Sequence, residues 1–182
     1  RMIVDISRGI LETPPYPGER PAALTRQMDM ANGDGYTLSR IEMSLHAATH
    51  IDAPLHFIQD GADIAATDLT LYSGSCYVLP AEALMDLRQA PPRLLLRGEP
   101  GLNEARIAKL LALGVKLVGV ESMSVGTAAD EGGPHRALLS QGVALLENID
   151  LGGAPDGPYV LCALPLKITG GEASPCRAVL FS

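Results

Sequence analysis

The amino-acid sequence predicts an α/β domain with a mixed central β-sheet and flanking helices. Three observations lead there: short β-rich runs bounded by Gly or Pro, two helical stretches with readable ends, and a strand-rich start that gives way to strand, helix, strand alternation. Met2 to Ile6 reads as a short strand. The stretch Thr13 to Pro21, rich in Pro and Gly, must be a loop because its prolines lack ladder donors. Thr37 to Leu45 alternates apolar Leu38, Ile41, Met43 and Leu45 with polar residues, the period of a half-buried strand. Further strands are expected at Cys76 to Leu79, Arg93 to Leu96, Leu117 to Val120, Tyr159 to Ala163 and Ala178 to Phe181. A helix is expected from Glu104 to Leu113, capped by Asn103, striped by Ile107, Leu110 and Leu111, and ended by Gly114. A second helix has Pro134 in its first turn and Gly142 at its close, which puts His135 near its start.

Composition narrows the function. A chain of 182 residues is the size of one domain and can bury about two-thirds of its unfolded surface, and neither repeat nor linker divides it, so residues 1–182 are expected to form one unit. The net charge of −7, without long Lys/Arg runs, argues against nucleic acid or an anionic membrane and for a small-molecule partner. Cys76, Cys162 and Cys176 are odd in number and widely spaced, so each is expected to be a small hydrophobe in a cytoplasmic protein. No apolar run approaches the roughly 18 residues of a spanning helix. No signal-peptide layout precedes Met2, and Arg1 reads as an appended residue.

Three of the four histidines fall within eleven residues, His46 to His56, with Asp52 among them. Imidazole and carboxylate are the ligands that hold Zn²⁺ or Mn²⁺. Positions 46, 50, 52 and 56 share parity, so an extended chain sends all four side chains to one side, while 46 and 50 also align on a helix. Pro54 argues against a continuous helix through His56 and for an extended or looped segment entering a cleft. His46, His50 and Asp52 are therefore candidate metal ligands, and His56, just beyond them, a candidate acid/base. Glu147 interrupts the apolar run Ala144 to Ile149. A buried carboxylate needs a partner such as a cation, so Glu147 and His135 can complete a second metal position with Asp52 or Glu147 bridging. Asp60, Asp63 and Asp68 read as turn or capping groups. Ser122 and Ser124 lack the G-x-S-x-G elbow of a serine nucleophile, and no phosphate-binding loop or CxxC pair occurs.

The stretch Glu42 to Phe57, EMSLHAATHIDAPLHF, resembles the signature His-x-Gly-Thr-His-x-Asp-x-Pro-x-His of the cyclase-like amidohydrolases, a family that includes the bacterial kynurenine formamidases, to which the likeness is strongest. Tyr16-Pro-Gly-Glu is similar to the family's Trp-Pro-Gly-Asp loop. Ala163 to Lys167 and Ser174 to Val179 resemble its closing strands. The resemblance implies a swivelling ββα-type fold, one or two metal ions, and a homodimer or homotetramer. It assigns His46, His50 and Asp52 to one metal, with Asp52 and Glu147 bridging to a second that His135 also holds. It makes His56 the proton carrier and places Tyr16 against the substrate ring. Ala48 stands where the signature has glycine, and is expected to be tolerated as the smallest alternative. Glu121 and Gly126 stand where the formamidases usually show aspartates.

Three functions follow from this reading. The first is metal-assisted hydrolysis of an arylformamide such as N-formylkynurenine, or of a cyclic amide such as isatin. The second is a cyclase or dehydratase using the metal as Lewis acid. The third is a non-catalytic protein that metal stabilises, which the cysteine-free ligand set disfavours because structural zinc sites are usually closed and cysteine-rich.

Overall fold

The computed structural model describes residues 2–99 and 101–182; Arg1, read above as an appended residue, lies outside them, as does Pro100. The strands are β1 (Ile3–Asp5), β2 (Ala23–Met28), β3 (Leu38–Glu42), β4 (His50–Asp52), β5 (Ser73–Pro80) and β6 (Arg93–Arg97), then β7 (Leu117–Val120), β8 (Ala144–Glu147), β9 (Gly157–Cys162), β10 (Ala173–Pro175) and β11 (Val179–Phe181). Helix α1 (Glu104–Ala112) lies between β6 and β7, and α2 (Gly132–Leu139) between β7 and β8. Nine strands form one mixed sheet in the order β1-β11-β9-β5-β6-β7-β8-β4-β10. Its centre, β5 to β8, is parallel, and both wings are antiparallel.

The parallel centre follows from the apolar runs. Arg93–Arg97, Leu117–Val120 and Ala144–Glu147 are covered on both faces, which requires almost unbroken hydrophobic sequence. Alternation along these strands divides the interior. Leu95 and Leu146 pack on one face with Ile51, Val78 and Ile149. Leu94, Leu96, Val118 and Leu145 pack on the other with Leu110 of α1 and Leu138 of α2. The expected helix ends are present: Asn103 Oδ1 accepts from the Arg106 N–H at 3.0 Å, and Gly114 and Gly142 each take φ +71°.

Strands β2, β4 and β10 were not foreseen from periodicity, and β3 behaves differently from its pattern. β3 does not feed the main sheet. It pairs with β2 in a separate hairpin, where Leu38 and Ile41 stay 46% and 42% exposed. Alternation reports that side chains point to two faces, but not that either face meets a core; here Leu24 and Ile41 cover each other across the hairpin instead. β10 is three residues ending in Pro175, too short for a pattern, and Pro is accommodated because β10 is the sheet edge.

Strand β4 is also three residues long, yet all three are buried because it is paired on both sides, with β8 and with β10. Ile51 points into one core face, so His50 and Asp52 must point to the other, where α2 lies. Ile51→Ala should cost about 2–5 kcal/mol in urea denaturation, the range for deleting a fully buried aliphatic side chain; a loss well below 1 kcal/mol would contradict this anchoring.

Candidate metal centre

The antiparallel register of β4 and β8 sets His50 directly opposite Glu147, and strand alternation puts Asp52 on the same face. Side chains of such a pair share one face within about 5 Å at Cβ. Helix α2 lays His135 over them. The turn before β4 brings in His46, and the 3-10 turn Pro54–His56 carries His56 back over the same point. Asp52 is the hub: its oxygens lie 3.1 Å from His46 Nδ1, 3.4 Å from His50 Nε2 and 3.4 Å from His135 Nε2. Glu147 lies 3.2 Å from His50 Nε2 and 3.3 Å from His135 Nε2. Two donor groups result, each with atoms within 4.8 Å of one another: His50, Asp52 and Glu147, and His46, Asp52 and His56. His56 thus stands within ligand reach of the second group, its ring centroid 4.2 Å from that of His46.

Backbone acceptors fix which nitrogens face inward. His50 Nδ1 lies 2.8 Å from Ala48 O and His135 Nδ1 lies 2.7 Å from Glu131 O, so each Nδ1–H donates outward and each Nε2 faces Asp52 and Glu147. Ala48 makes its bond from φ +52°, the left-handed region that favours glycine. The alanine is tolerated, but at a strained position. Thr49 beside it locks the turn, donating to Asn148 O at 2.6 Å and accepting from the Arg8 N–H at 2.8 Å.

Asp52, Glu147, His50 and His135 are each at most 2% exposed. Burial opposes ionisation of Asp52, but the facing His135, His46 and His50 outweigh it and hold the carboxyl well below its ordinary range. Burial likewise opposes the charged form of His50 and His135, and Asp52 and Glu147 reverse this, pushing both imidazoles up to about 10. For all this attraction, His50 Nε2, His46 Nε2 and both Asp52 oxygens have no hydrogen-bond partner of proper geometry among the described residues. Buried lone pairs that converge without bonding to one another fit a cation. The all-N/O donor set suits Zn²⁺ or Mn²⁺, which would displace the two imidazole protons.

The centre floors a cleft of about 210 Å³. Its walls include Pro14, Phe57 and Met123, with Tyr16 at 41% exposure near the mouth. Phe57 stacks on His135, centroids 4.4 Å apart, with the Arg136 guanidinium 5.8 Å from the Phe57 ring centre. Phe57, Met123, Glu131 and Glu172 (3.5 Å from His46 Nε2) were not singled out from the sequence, since none carries a spacing that marks it, and Ser124, set aside above as a nucleophile, lines the cleft as well. Glu121 is outside the cleft wall: its oxygens accept from Gly98 N at 2.7 Å and Leu151 N at 2.8 Å, tying two loops together. Asp63 and Asp68 accept from the N–H groups of Ala66 and Thr70 as caps.

The same arrangement of strands occurs in known proteins. The Cyclase family model matches residues 4–92. A kynurenine formamidase of Polaromonas naphthalenivorans is 34% identical over 91% of this chain and 83% of its own, and one of Erythrobacter litoralis is 35% identical over 99% and 94%. This chain belongs to the cyclase-like amidohydrolase family. A predicted metal-dependent hydrolase from Bacillus stearothermophilus has the same fold, with 27% identity, a TM-score of 0.79 and coverage of 98% of this chain and 97% of that one. Among the described residues no helix is long and apolar enough to cross a membrane.

Two outcomes follow from this geometry. Ala48→Gly relieves a left-handed alanine worth about 1–2 kcal/mol but loosens the unfolded chain by about 0.4–1 kcal/mol, so urea denaturation should show no loss and a gain of up to about 1.6 kcal/mol; a clear loss would contradict the strain. For the metal-free protein, imidazoles raised from 6.5 to about 10 stabilise the fold fully below pH 6.5, and that contribution disappears as pH rises toward 10. Chelated protein should therefore melt at lower temperature at pH 10 than at pH 6.5, with a smaller drop when Zn²⁺ is present; equal drops would contradict proton displacement.

Proposed function

We propose that this chain is a metal-dependent hydrolase of small arylformamides, N-formylkynurenine foremost. The observation that carries the reading is the cross-strand pair His50 and Glu147, which closes with Asp52 and His135 on one buried point at the floor of a cleft sized for a small molecule. The 34–35% identity to two kynurenine formamidases along nearly the whole chain supports the choice of bond. His46, His50, Asp52, His135 and Glu147 would hold one or two ions, Zn²⁺ or Mn²⁺. Such an ion supplies a Lewis acid for the scissile carbonyl and a water acidified toward neutral pH.

The chain's own residues do the rest. Burial depresses the His56 imidazole below its ordinary value, so it is neutral at pH 7 and able to accept a proton. It takes the proton lost when water adds to the formyl carbon and returns it to the arylamine nitrogen as the C–N bond breaks, releasing arylamine and formate. Phe57, Met123 and Pro14 give the aryl group an apolar wall, and the Tyr16 ring lies against it at the mouth. We place this enzyme in the cytoplasm as a single-domain homodimer or homotetramer, with neither nucleic acid nor membrane as partner.

His56→Ala should keep its metal by elemental analysis but lose about 10²- to 10⁴-fold in turnover, whereas His50→Ala should lose metal as well. Full activity of His56→Ala would sink the proton-carrier role, and loss of its metal would make His56 a ligand. Formate release from N-formylkynurenine is the direct assay. Ring opening of isatin without formate release from any formamide would favour the cyclic-amide alternative.

A further inference from the structure

Glu131 occupies the position just before α2, where an acidic side chain commonly caps the helix, yet it makes no cap bond. The neighbouring Asp130 does so instead, accepting from the Gly133 N–H at 2.8 Å. The Glu131 side chain turns into the cleft, where Oε1 accepts from Ser124 Oγ at 2.7 Å. Ser124 is itself held, its Oγ accepting from the Gly126 N–H at 2.9 Å and its carbonyl accepting from Ser122 Oγ at 2.7 Å. Gly126 makes room for this arrangement: a Cβ there would sit 2.6 Å from Glu131 O and 2.9 Å from Glu131 Oε2. The residue that replaces the usual aspartate at 126 thus admits a different carboxylate to the same wall.

That carboxylate has no counterion. Among the described residues no ion pair involves Glu131, and no Lys or Arg lines the cleft, whereas Glu19 does. Tyr16, beside it at the mouth, keeps its phenol proton, since burial first, then the Glu131 charge and a hydrogen bond to that carboxylate, push its pKa up. A carboxylate braced by Ser124, in a wall without Lys or Arg, is complementary to a ligand cation.

We infer that Glu131, braced by Ser124, receives a primary ammonium group on the substrate's side chain and sets a preference for arylformamides that carry one. The inference rests on the formamidase reading above and names a specificity determinant within it. Charge-assisted hydrogen bonds of this kind correspond to about 10- to 100-fold in affinity.

The test compares kcat/KM for N-formylkynurenine, which carries an ammonium, with that for formanilide, which does not. In Glu131→Gln, which keeps the shape and the Ser124 contact, the ratio should fall about 10- to 100-fold, chiefly through KM for N-formylkynurenine. Ser124→Ala, which removes only the brace, should lower it by a smaller factor and serves if Glu131→Gln fails to fold. Ratios within about twofold of the wild-type value in both variants would overturn the inference while leaving formamide hydrolysis standing. A wild-type enzyme that releases formate from neither compound would overturn the formamidase reading itself, and this inference with it.

Discussion

Two carboxylates buried on an otherwise apolar sheet face are the constraint around which this protein is organised. Asp52 and Glu147 sit where Leu145, Val118 and Leu138 pack, out of reach of water. A lone buried carboxylate costs several kcal/mol, and two side by side repel as well. Among the described residues no Lys or Arg answers them; the facing groups are His46, His50 and His135. Imidazoles can neutralise the pair by taking protons, or can give up those protons to a divalent cation. The first state leaves buried atoms without bonding geometry, and the second uses all of them. Much of the surrounding structure keeps that second option open.

The backbone around the centre is accordingly bound at every step. β4 is too short to hold its own conformation, and double pairing supplies what length does not. The turn ahead of it runs through a left-handed alanine, held because Ala48 O orients His50 and because Thr49 ties the turn to Asn148 and Arg8. Strain at such a site persists only when its neighbours over-determine it. On the opposite wall, α2 is oriented by the bond from His135 to the Glu131 carbonyl, and the same residue's side chain faces the cleft. One residue thereby links ligand geometry to the surface a substrate meets.

Much of this was legible in the sequence because its physical causes are local. The parallel strands announce themselves as apolar runs, α1 by its Asn103 cap, and the histidine-carboxylate segment by the parity of His50 and Asp52. The long-range parts were less visible. That Glu147 faces His50 depends on a register between strands almost a hundred residues apart. The hairpin of β2 and β3 reads as half-buried because periodicity does not say what covers a face. Phe57, Ser124 and Glu131 became recognisable only when α2 and the loop after β7 were brought to the cleft, and Gly126 reads as a departure until Glu131 is seen to fill the space it leaves.

The direct test is anomalous X-ray diffraction from crystals of the protein grown with Zn²⁺, collected on both sides of the zinc absorption edge. A peak enclosed by His50, Asp52, Glu147 and His135, alone or with a second beside His46, is the result expected. A folded protein whose only zinc peaks lie at its surface, with Asp52 and Glu147 still buried against protonated imidazoles, would contradict it.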